Sequence, residues 1–382
     1  MEFLGALGGA TGSLVWGYLV PFLFVLTVVV FIHELGHFLV GRWCGVGVTA
    51  FSIGFGPKIW STHKGETEVG FKWIPAGGYV KIAGMSPYEE IPPEDAHRVY
   101  GAKPRWQRAL VIVAGPATHF VLAFLCFALW LAFVGSIPAR SPVIATVAPT
   151  LRGVESPASA AGLRPGDRIV AIGDIEDPTA EELVGYTRRN ADTPITLRIE
   201  RDDETIPVTL TPVLATVAGE EVARIGVDLS GRLPVGVLGS ITGAGSEVRS
   251  SVVRTVEGVG RIFGPSGIGR VVELVATDAP REPEDPQSVV GVGRVAGAIA
   301  SEGHFGDMLY LFAIVNIFVG FLNLLPLPPF DGGHLALLAI EKLRGGRPVD
   351  MRKVMPISAV VAAFFILFTA AVVWVDIVKP PV

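Results

Sequence analysis

Residues 24–37 read FVLTVVVFIHELGH, an apolar run that ends directly on two histidines and a glutamate. The run closes a stretch without Asp, Glu, Lys or Arg, Phe3–Ile32, which is longer than the roughly 20 residues that cross a bilayer. It therefore predicts a transmembrane helix. Because no basic residue precedes it and its apolar core is too long for a secretory leader, we interpret it as a retained span.

The rest of the chain also has the composition of a membrane protein. Half of its 382 residues are hydrophobic, and its charged fraction of 18% lies below the roughly 25% of soluble domains. Three further uncharged stretches are long enough to cross a bilayer: Ala109–Ala139, Met308–Phe330 and Val354–Val375. The sequence thus predicts four transmembrane helices.

The basic residues predict the orientation of these helices. Residues 42–108 contain nine Lys or Arg, and the connection after the third span, 342–353, is also basic. Both connections are therefore expected in the cytoplasm, with both termini and the long segment 140–307 outside. The net charge of −5 and the lack of a Lys/Arg-rich tract exclude a nucleic acid as an expected partner.

The motif at the end of the first span has the spacing of a metal site. His33 and His37 stand at i and i+4, so on a helix both imidazoles leave the same face and reach one Zn²⁺. Glu34 lies between them, where it can take a proton from an attacking water. The alternative is an interfacial histidine pair beside a solvated glutamate. The long uncharged stretch before the motif favours the metal site, since ionisable groups at membrane depth are costly unless paired or functional.

The third span supplies a candidate third ligand. It ends on the segment NLLPLPPFDGG, residues 323–333, whose prolines break the helix before Asp331. Because the first and third spans run in the same direction, Asp331 should lie at the depth of the histidines; the alternative is a helix-capping carboxylate. Asn323 is expected either to hydrogen-bond between helices or to hold the scissile carbonyl. His334 is a weaker candidate ligand.

The remaining segments predict the domain organisation. Residues 1–140 form a first membrane part with two spans and a cytoplasmic β-hairpin at about 66–84, and residues 308–382 form a second with two spans. Between them, residues 141–230 read as a soluble α/β module with one helix, Thr179–Arg189. Its predicted strands are Val143–Val147, Arg168–Ile172, Ile195–Arg201 and Thr205–Thr211. Residues 231–307 read as an extracytoplasmic amphipathic region that includes an exposed linker, Ala279–Pro286.

With these motifs in place, the chain resembles the site-2 protease family of intramembrane zinc metalloproteases, in particular its RseP-type bacterial branch with one PDZ domain. The resemblance spans nearly the whole chain. It implies that His33, His37 and Asp331 bind Zn²⁺, that Glu34 is the catalytic base and that Asn323 binds the substrate or transition state. One departure is visible: His119 stands in Gly115-Pro116-Ala-Thr-His119, where the family usually has asparagine, and it either replaces that hydrogen bonding or only packs.

The resemblance also implies the fold and the remaining parts of the chain. Pro157–Ile172 resembles a PDZ segment, and the hairpin around Pro75–Tyr79 resembles a membrane-associated β element that pairs with an unwound substrate. The expected fold is a membrane α-helical bundle of four transmembrane helices with this hairpin and an extracytoplasmic α/β PDZ domain. Such a domain binds a peptide by strand addition, or serves only as a spacer that excludes bulky substrates.

The expected function is an intramembrane metalloendopeptidase of the bacterial inner (cytoplasmic) membrane. Its partners would be the lipid bilayer and single-span membrane proteins, such as an anti-sigma factor or remnant signal peptides, cleaved within or near their transmembrane segment. Two alternatives belong to other classes: a non-proteolytic PDZ adaptor with a relic metal site, and a metal transporter. The scarcity of charges in the other spans disfavours the transporter.

Overall fold

The computed structural model describes residues 20–380 except 87, 218–219, 283–284 and 302. The chain divides into two compact units, of which the second is Ala128–Thr242 and the first comprises the residues up to Phe127 and from Gly243 onward. All five predicted site residues lie in the first unit. The helices and strands occur in the order α1 (Val20–Trp43), β1 (Val48–Lys64), β2 (Thr67–Ile82), α2 (Arg105–Phe133), β3 (Thr146–Val147), β4 (Thr150–Leu151), β5 (Val154–Glu155), α3 (Pro157–Ala160), β6 (Arg168–Ile172), β7 (Ile175–Glu176), α4 (Ala180–Arg189), β8 (Ile195–Arg201), β9 (Glu204–Leu210), β10 (Val213–Val217), β11 (Glu220–Arg224), β12 (Val227–Asp228), α5 (Val237–Phe263), α6 (Pro265–Ala276), α7 (Val289–Ser301), α8 (Asp307–Asn323), α9 (Asp331–Leu343) and α10 (Met351–Val378).

Within the part of the chain that the structure describes, three helices are long and apolar enough to cross a membrane: Val25–Trp43, Arg105–Phe133 and Met351–Val378. The predicted first span starts among residues 3–19, which lie outside the described residues. Its helix continues past Ile32 to Trp43, because nothing in the HELGH segment interrupts helical hydrogen bonding. The predicted third span is a shorter helix, α8, which ends at Asn323 before the proline-rich segment. A fourth span therefore stays a prediction.

The β-hairpin is larger than the sequence predicted, and its expected boundaries at about 66–84 are wrong. Its two strands are β1 and β2, and the turn between them lies at Gly65 rather than near Pro75. Residues 50–53 pair both with 78–81 and with 68–71, so each long strand bends and contributes twice to the sheet. Gly54 has a φ of +87°, a backbone conformation that favours glycine, at the bend of β1.

The second unit is built around a small sheet in the order β7-β6-β8-β9. Two predicted strands, Arg168–Ile172 and Ile195–Arg201, have these bounds in the structure. The strand predicted at Thr205–Thr211 runs from Glu204 to Leu210, and of Val143–Val147 only Thr146–Val147 is a strand. Helix α4 begins as predicted, because the Thr179 hydroxyl accepts from the Glu182 N–H and the Glu182 carboxylate accepts from the Thr179 N–H. The buried core is formed by aliphatic side chains of the sheet, of α4 and of the adjoining loops: Ile144, Ala158, Leu163, Ile169, Ile172, Leu183, Ile195, Leu197, Ile199, Leu210 and Ile225.

The segment Ala279–Pro286, predicted as an exposed linker, is anchored by buried charges instead. Its Arg281 side chain is 3% exposed and forms an ion pair, 2.5 Å from Nη1 to Oδ1, with Asp376 of α10, which is fully buried. Asp376 Oδ2 accepts a second hydrogen bond from the Ser288 N–H. Asp285 forms a bidentate pair with Arg270 of α6. These long-range partners could not be identified from the linker's own polar composition.

We expect Asp376→Asn to lower the free energy of unfolding by about 3–5 kcal/mol, because it removes the carboxylate that pairs directly with the buried Arg281 guanidinium. Chemical denaturation in detergent measures the change. Glu221→Gln is the matched control, since Glu221 pairs with Arg152 at an exposed position and its loss should cost at most about 1 kcal/mol. Equal effects of the two substitutions would contradict the prediction.

Candidate metal centre

Helix α1 presents His33 and His37 on one face, as their spacing predicted. Their Nε2 atoms lie 3.2 Å apart. The other nitrogen of His37, Nδ1, lies 2.8 Å from the carbonyl oxygen of Val111 on α2 and donates to it, which leaves Nε2 with a free lone pair. The Val111 carbonyl of α2 therefore orients the His37 imidazole so that its Nε2 atom lies beside His33 Nε2.

Asp331 is the first residue of α9, and its carboxylate lies beside both imidazoles. Its Oδ2 atom lies 3.2 Å from His33 Nε2 and 3.3 Å from His37 Nε2. Tight packing behind the carboxylate makes this possible: a Cβ on Gly332 would lie 2.2 Å from the Leu324 carbonyl oxygen, and one on Gly333 would lie 2.4 Å from Pro328 N. The Gly332-Gly333 pair thus lets the segment after Asn323 fold back against α9.

The three atoms fit a zinc ion. They form a nearly equilateral triangle with edges of 3.2, 3.2 and 3.3 Å, and a tetrahedral ion with bonds of about 2.0 Å holds its ligand atoms about 3.3 Å apart. Asp331 Oδ2 is buried and has no hydrogen-bond partner, as expected for an atom that a cation would satisfy. Two imidazoles and one carboxylate are a common ligand set of catalytic zinc.

The triangle opens into a cavity of about 270 Å³. Glu34 and Asn323, the other two predicted site residues, line this cavity, and so does His334, which stands outside the ligand cluster. The edge of β2 covers one side: a Cβ on Gly78 would lie 3.3 Å from Glu34 Cγ, and Val80 lines the same cavity as Glu34. The sequence predicted a hairpin near the site, but not that its strand would touch Glu34.

Two glycines allow α1 and α2 to approach closely beside the histidines. A Cβ on Gly36, the fourth residue of the HELGH segment, would lie 2.6 Å from the Ala114 carbonyl oxygen. A Cβ on Gly115 would lie 2.2 Å from His37 Nε2 and 2.8 Å from His33 Cε1. Sequence reasoning noted the Gly115-Pro116 motif without assigning this role. The signal was present, because glycine inside an apolar helix often marks a close backbone approach.

His119, whose role the sequence left open, lies beside the cluster. Its Nε2 atom is 3.0 Å from Nδ1 of His33 and its Nδ1 atom is 3.1 Å from Oδ1 of Asn316. Sequence reasoning missed Asn316 altogether. The available signal was an amide in the middle of an otherwise apolar helix, α8, where a polar side chain needs a partner.

A charged pair, Arg108 and Glu341, joins α2 to α9 next to the cavity. Arg108 and Glu341 form two parallel hydrogen bonds of 3.0 and 2.7 Å, which tie together the helices that carry Gly115 and Asp331. Burial raises the pKa of the neighbouring Tyr100 to about 12 against the effect of Arg108, so this phenol stays neutral at physiological pH. Met85 and His334 line both the main cavity and a second one of about 170 Å³ at this pair.

Comparison with known proteins places the sequence that carries this site in a family. The sequence profile of peptidase family M50 matches residues 21–368. Metalloprotease MmpA of Caulobacter vibrioides is 33% identical, with 85% of this chain and 86% of that protein covered. Zinc metalloprotease Rip1 of Mycobacterium tuberculosis is 30% identical, with 95% of this chain and 97% of that protein covered.

The matches cover the helices, the hairpin strands and the ligand cluster together. They confirm the predicted resemblance to the site-2 protease family and the predicted zinc cofactor. The chain therefore belongs to peptidase family M50, the site-2 protease family, and is a zinc metalloprotease with membrane-length helices.

Proposed function

We propose that the protein hydrolyses a peptide bond within or near the transmembrane segment of single-span membrane proteins. The observation that carries the proposal is the cavity beside α1, where the triangle of His33, His37 and Asp331 meets Glu34 and Asn323. This cavity lies against helices of membrane-spanning length. A peptide bond that enters it would have to come from a segment at or close to the bilayer.

We assign the ligand role to His33, His37 and Asp331, the base role to Glu34, and the binding of the scissile carbonyl or its oxyanion to Asn323. The distances within the triangle support the first assignment. The common cavity supports the other two, because a base and a hydrogen-bond donor must both reach the reacting peptide. The adaptor alternative lacks comparable support, since it leaves these five side chains together without a task.

The chain's own residues then perform the acid–base steps. Bound zinc supplies Lewis acidity at the triangle. Glu34 accepts the proton of the water that attacks the scissile carbonyl, and it later delivers a proton to the leaving amine. The Asn323 amide can donate to the oxygen on which negative charge develops. The β2 edge at Gly78 packs against the Glu34 side chain, whose carboxyl group lines the cavity.

The edge of the hairpin offers a place for an unwound substrate. Residues 78–82 pair on one side with 48–53, and within the described chain no other strand pairs with them. Tyr79, Val80 and Ile82 line the cavity. A substrate strand added to this edge would regain the main-chain hydrogen bonds that its helix loses on unwinding, which hydrocarbon does not supply.

The proposed membrane arrangement has four spans, with α8 as the third. A helix of 17 residues is about 26 Å long, close to the bilayer's hydrocarbon core of about 30 Å. The basic connections are placed in the cytoplasm, and the termini and residues 140–307 outside. The location would be the bacterial inner membrane. An anti-sigma factor or remnant signal peptides are the proposed substrates.

For residues 141–230 we propose a PDZ domain. A groove of about 440 Å³ runs between α4 and residues 222–229, with Leu183 and Val184 on the helix side and Ile225 and Val227 opposite. A peptide strand could lie there with its apolar side chains against α4. A spacer that only excludes bulky substrates would leave the groove without a ligand.

The test of the proposed function uses the purified full-length protein in lipid nanodiscs with a reporter that carries one apolar helix of about 20 residues and a short extracytoplasmic tail. We expect two products whose masses place the cut within or next to the apolar helix. A chelator should abolish cleavage and added zinc should restore it. A zinc-loaded protein that leaves the reporter intact would favour the adaptor, and a cut confined to the soluble tail would contradict intramembrane cleavage.

A further inference from the structure

His119 is a buried polar group inside the helix bundle. It is 1% exposed, and as residue i+4 after Gly115 it lies on the face of α2 that supports the imidazoles of α1. Its ring lies next to that of His33, with centroids 5.0 Å apart and an interplanar angle of 30°. A Cβ on Gly320 of α8 would lie 2.9 Å from His119 Cβ. The two helices therefore close around His119 and leave little room for its ring to turn.

A continuous line of hydrogen bonds passes through this ring. His33 Nδ1 lies 3.0 Å from His119 Nε2, and His119 Nδ1 lies 3.1 Å from Asn316 Oδ1. Asn316 Nδ2 in turn donates to the Phe312 carbonyl oxygen at 2.8 Å. Asn316 is fully buried, so its amide has these protein partners rather than bulk water.

The proton positions along this line follow from either end. At the α8 end, the Phe312 carbonyl can only accept, so the Asn316 amino group faces it and Asn316 Oδ1 accepts from His119 Nδ1–H. His119 Nε2 then carries a lone pair and accepts from His33 Nδ1–H. His33 Nε2 is left as a lone pair that faces the triangle. A metal on His33 Nε2 would require the same proton positions. Every hydrogen bond between His33 and Phe312 then has one donor and one acceptor.

We propose that His119 and Asn316 are positioning residues that hold His33 in the tautomer and orientation needed to ligate the metal. The inference rests on the ligand role proposed above for His33. It gives His33 the counterpart of the support that His37 receives from the Val111 carbonyl. The outer nitrogens of metal-bound imidazoles usually have such a partner. Here the partner is a neutral histidine whose own direction is set by an amide.

The test replaces His119 with two side chains of similar reach. His119→Gln can place an amide oxygen near the position of Nε2 and accept from His33, whereas His119→Phe keeps a ring against His33 without an acceptor. We expect the Phe variant to bind zinc about 10–100-fold more weakly than wild type, and the Gln variant to stay within about threefold. Competition against a chromogenic chelator on the purified full-length protein measures this affinity. Asn316→Leu should weaken binding less, by about 3–10-fold.

Three readouts separate this proposal from simpler explanations. Thermal unfolding of the metal-free variants reports whether the fold is kept, and zinc K-edge absorption counts the imidazoles bound to the metal. Unchanged affinity in the Phe variant, or equal weakening in the Gln and Phe variants, would overturn the positioning role. If the Phe variant does not fold, unchanged zinc affinity in Asn316→Leu overturns it. A His33→Ala variant that still binds zinc as wild type would instead overturn the ligand assignment on which the proposal rests.

Discussion

Replacing Glu34 with glutamine is expected to reduce peptide-bond hydrolysis by at least about a thousandfold while zinc affinity changes by no more than a few-fold. Glu34 lies between the two histidines in the chain and lines the cavity at the triangle without belonging to the ligand cluster. Glutamine keeps the shape of the Glu34 side chain and can keep its packing against the β2 edge at Gly78. It cannot accept a proton from water, so the base is lost while the ligand set stays intact.

Cleavage of the membrane-anchored reporter and metal content should be measured on the same preparation. Glu90→Gln is the control, because Glu90 is exposed and should change neither quantity. Retained cleavage in Glu34→Gln would remove Glu34 from the proposed mechanism. Loss of zinc together with loss of cleavage would mean that this carboxylate holds the site together rather than acting as the base. An inactive, zinc-loaded variant would also retain bound substrate, which mass spectrometry of native membranes could then identify.

The ligand triangle could be predicted from the sequence because each part has a local signal. The i, i+4 spacing places His33 and His37 on one face wherever the segment is helical. The proline-rich segment before Asp331 predicts a helix break at the end of an apolar stretch. The parallel directions predicted for the first and third spans would then bring the three residues to one depth, and the structure places their possible ligand atoms within 4.8 Å of one another.

The features that the sequence did not predict all depend on partners far away in the chain. The imperfect alternation and the Pro75…Gly77-Gly78 break that predict a hairpin at about 66–84 both lie within β2, whereas its pairing partner begins at Val48. Arg281 is buried because it pairs with Asp376 near the end of α10. The composition of the linker alone does not predict this partner. Asn316 likewise needed a partner, but only the packing of α8 on α2 shows that this partner is His119.

Gly115→Ala is expected to weaken zinc binding by at least about a hundredfold, although it adds a single methyl group. That methyl carbon would lie 2.2 Å from His37 Nε2 and 2.6 Å from His37 Cε1. The His37 ring cannot move away freely, because its Nδ1 is hydrogen-bonded to the Val111 carbonyl oxygen. Val111 precedes Gly115 by four residues and lies on the same face of α2. Moving the ring away would break this bond and displace Nε2 from the triangle.

Helix propensity alone predicts that Gly115→Ala stabilises the protein and leaves the metal site intact. The experiment therefore distinguishes this expectation from a loss of zinc binding. Alanine in place of a helical glycine is worth roughly 0.5–1 kcal/mol of stability where the site has room. Gly245→Ala and Gly258→Ala on α5 are the matched controls, because a Cβ at either position meets no atom within 4 Å. Both should keep zinc affinity and raise the thermal midpoint slightly. If Gly115→Ala behaved like these controls, the close approach of α2 to the imidazoles would not be needed for zinc binding. If the variant folds but loses zinc, the backbone of α2 at Gly115 is required for the metal site in the same way as the ligands are.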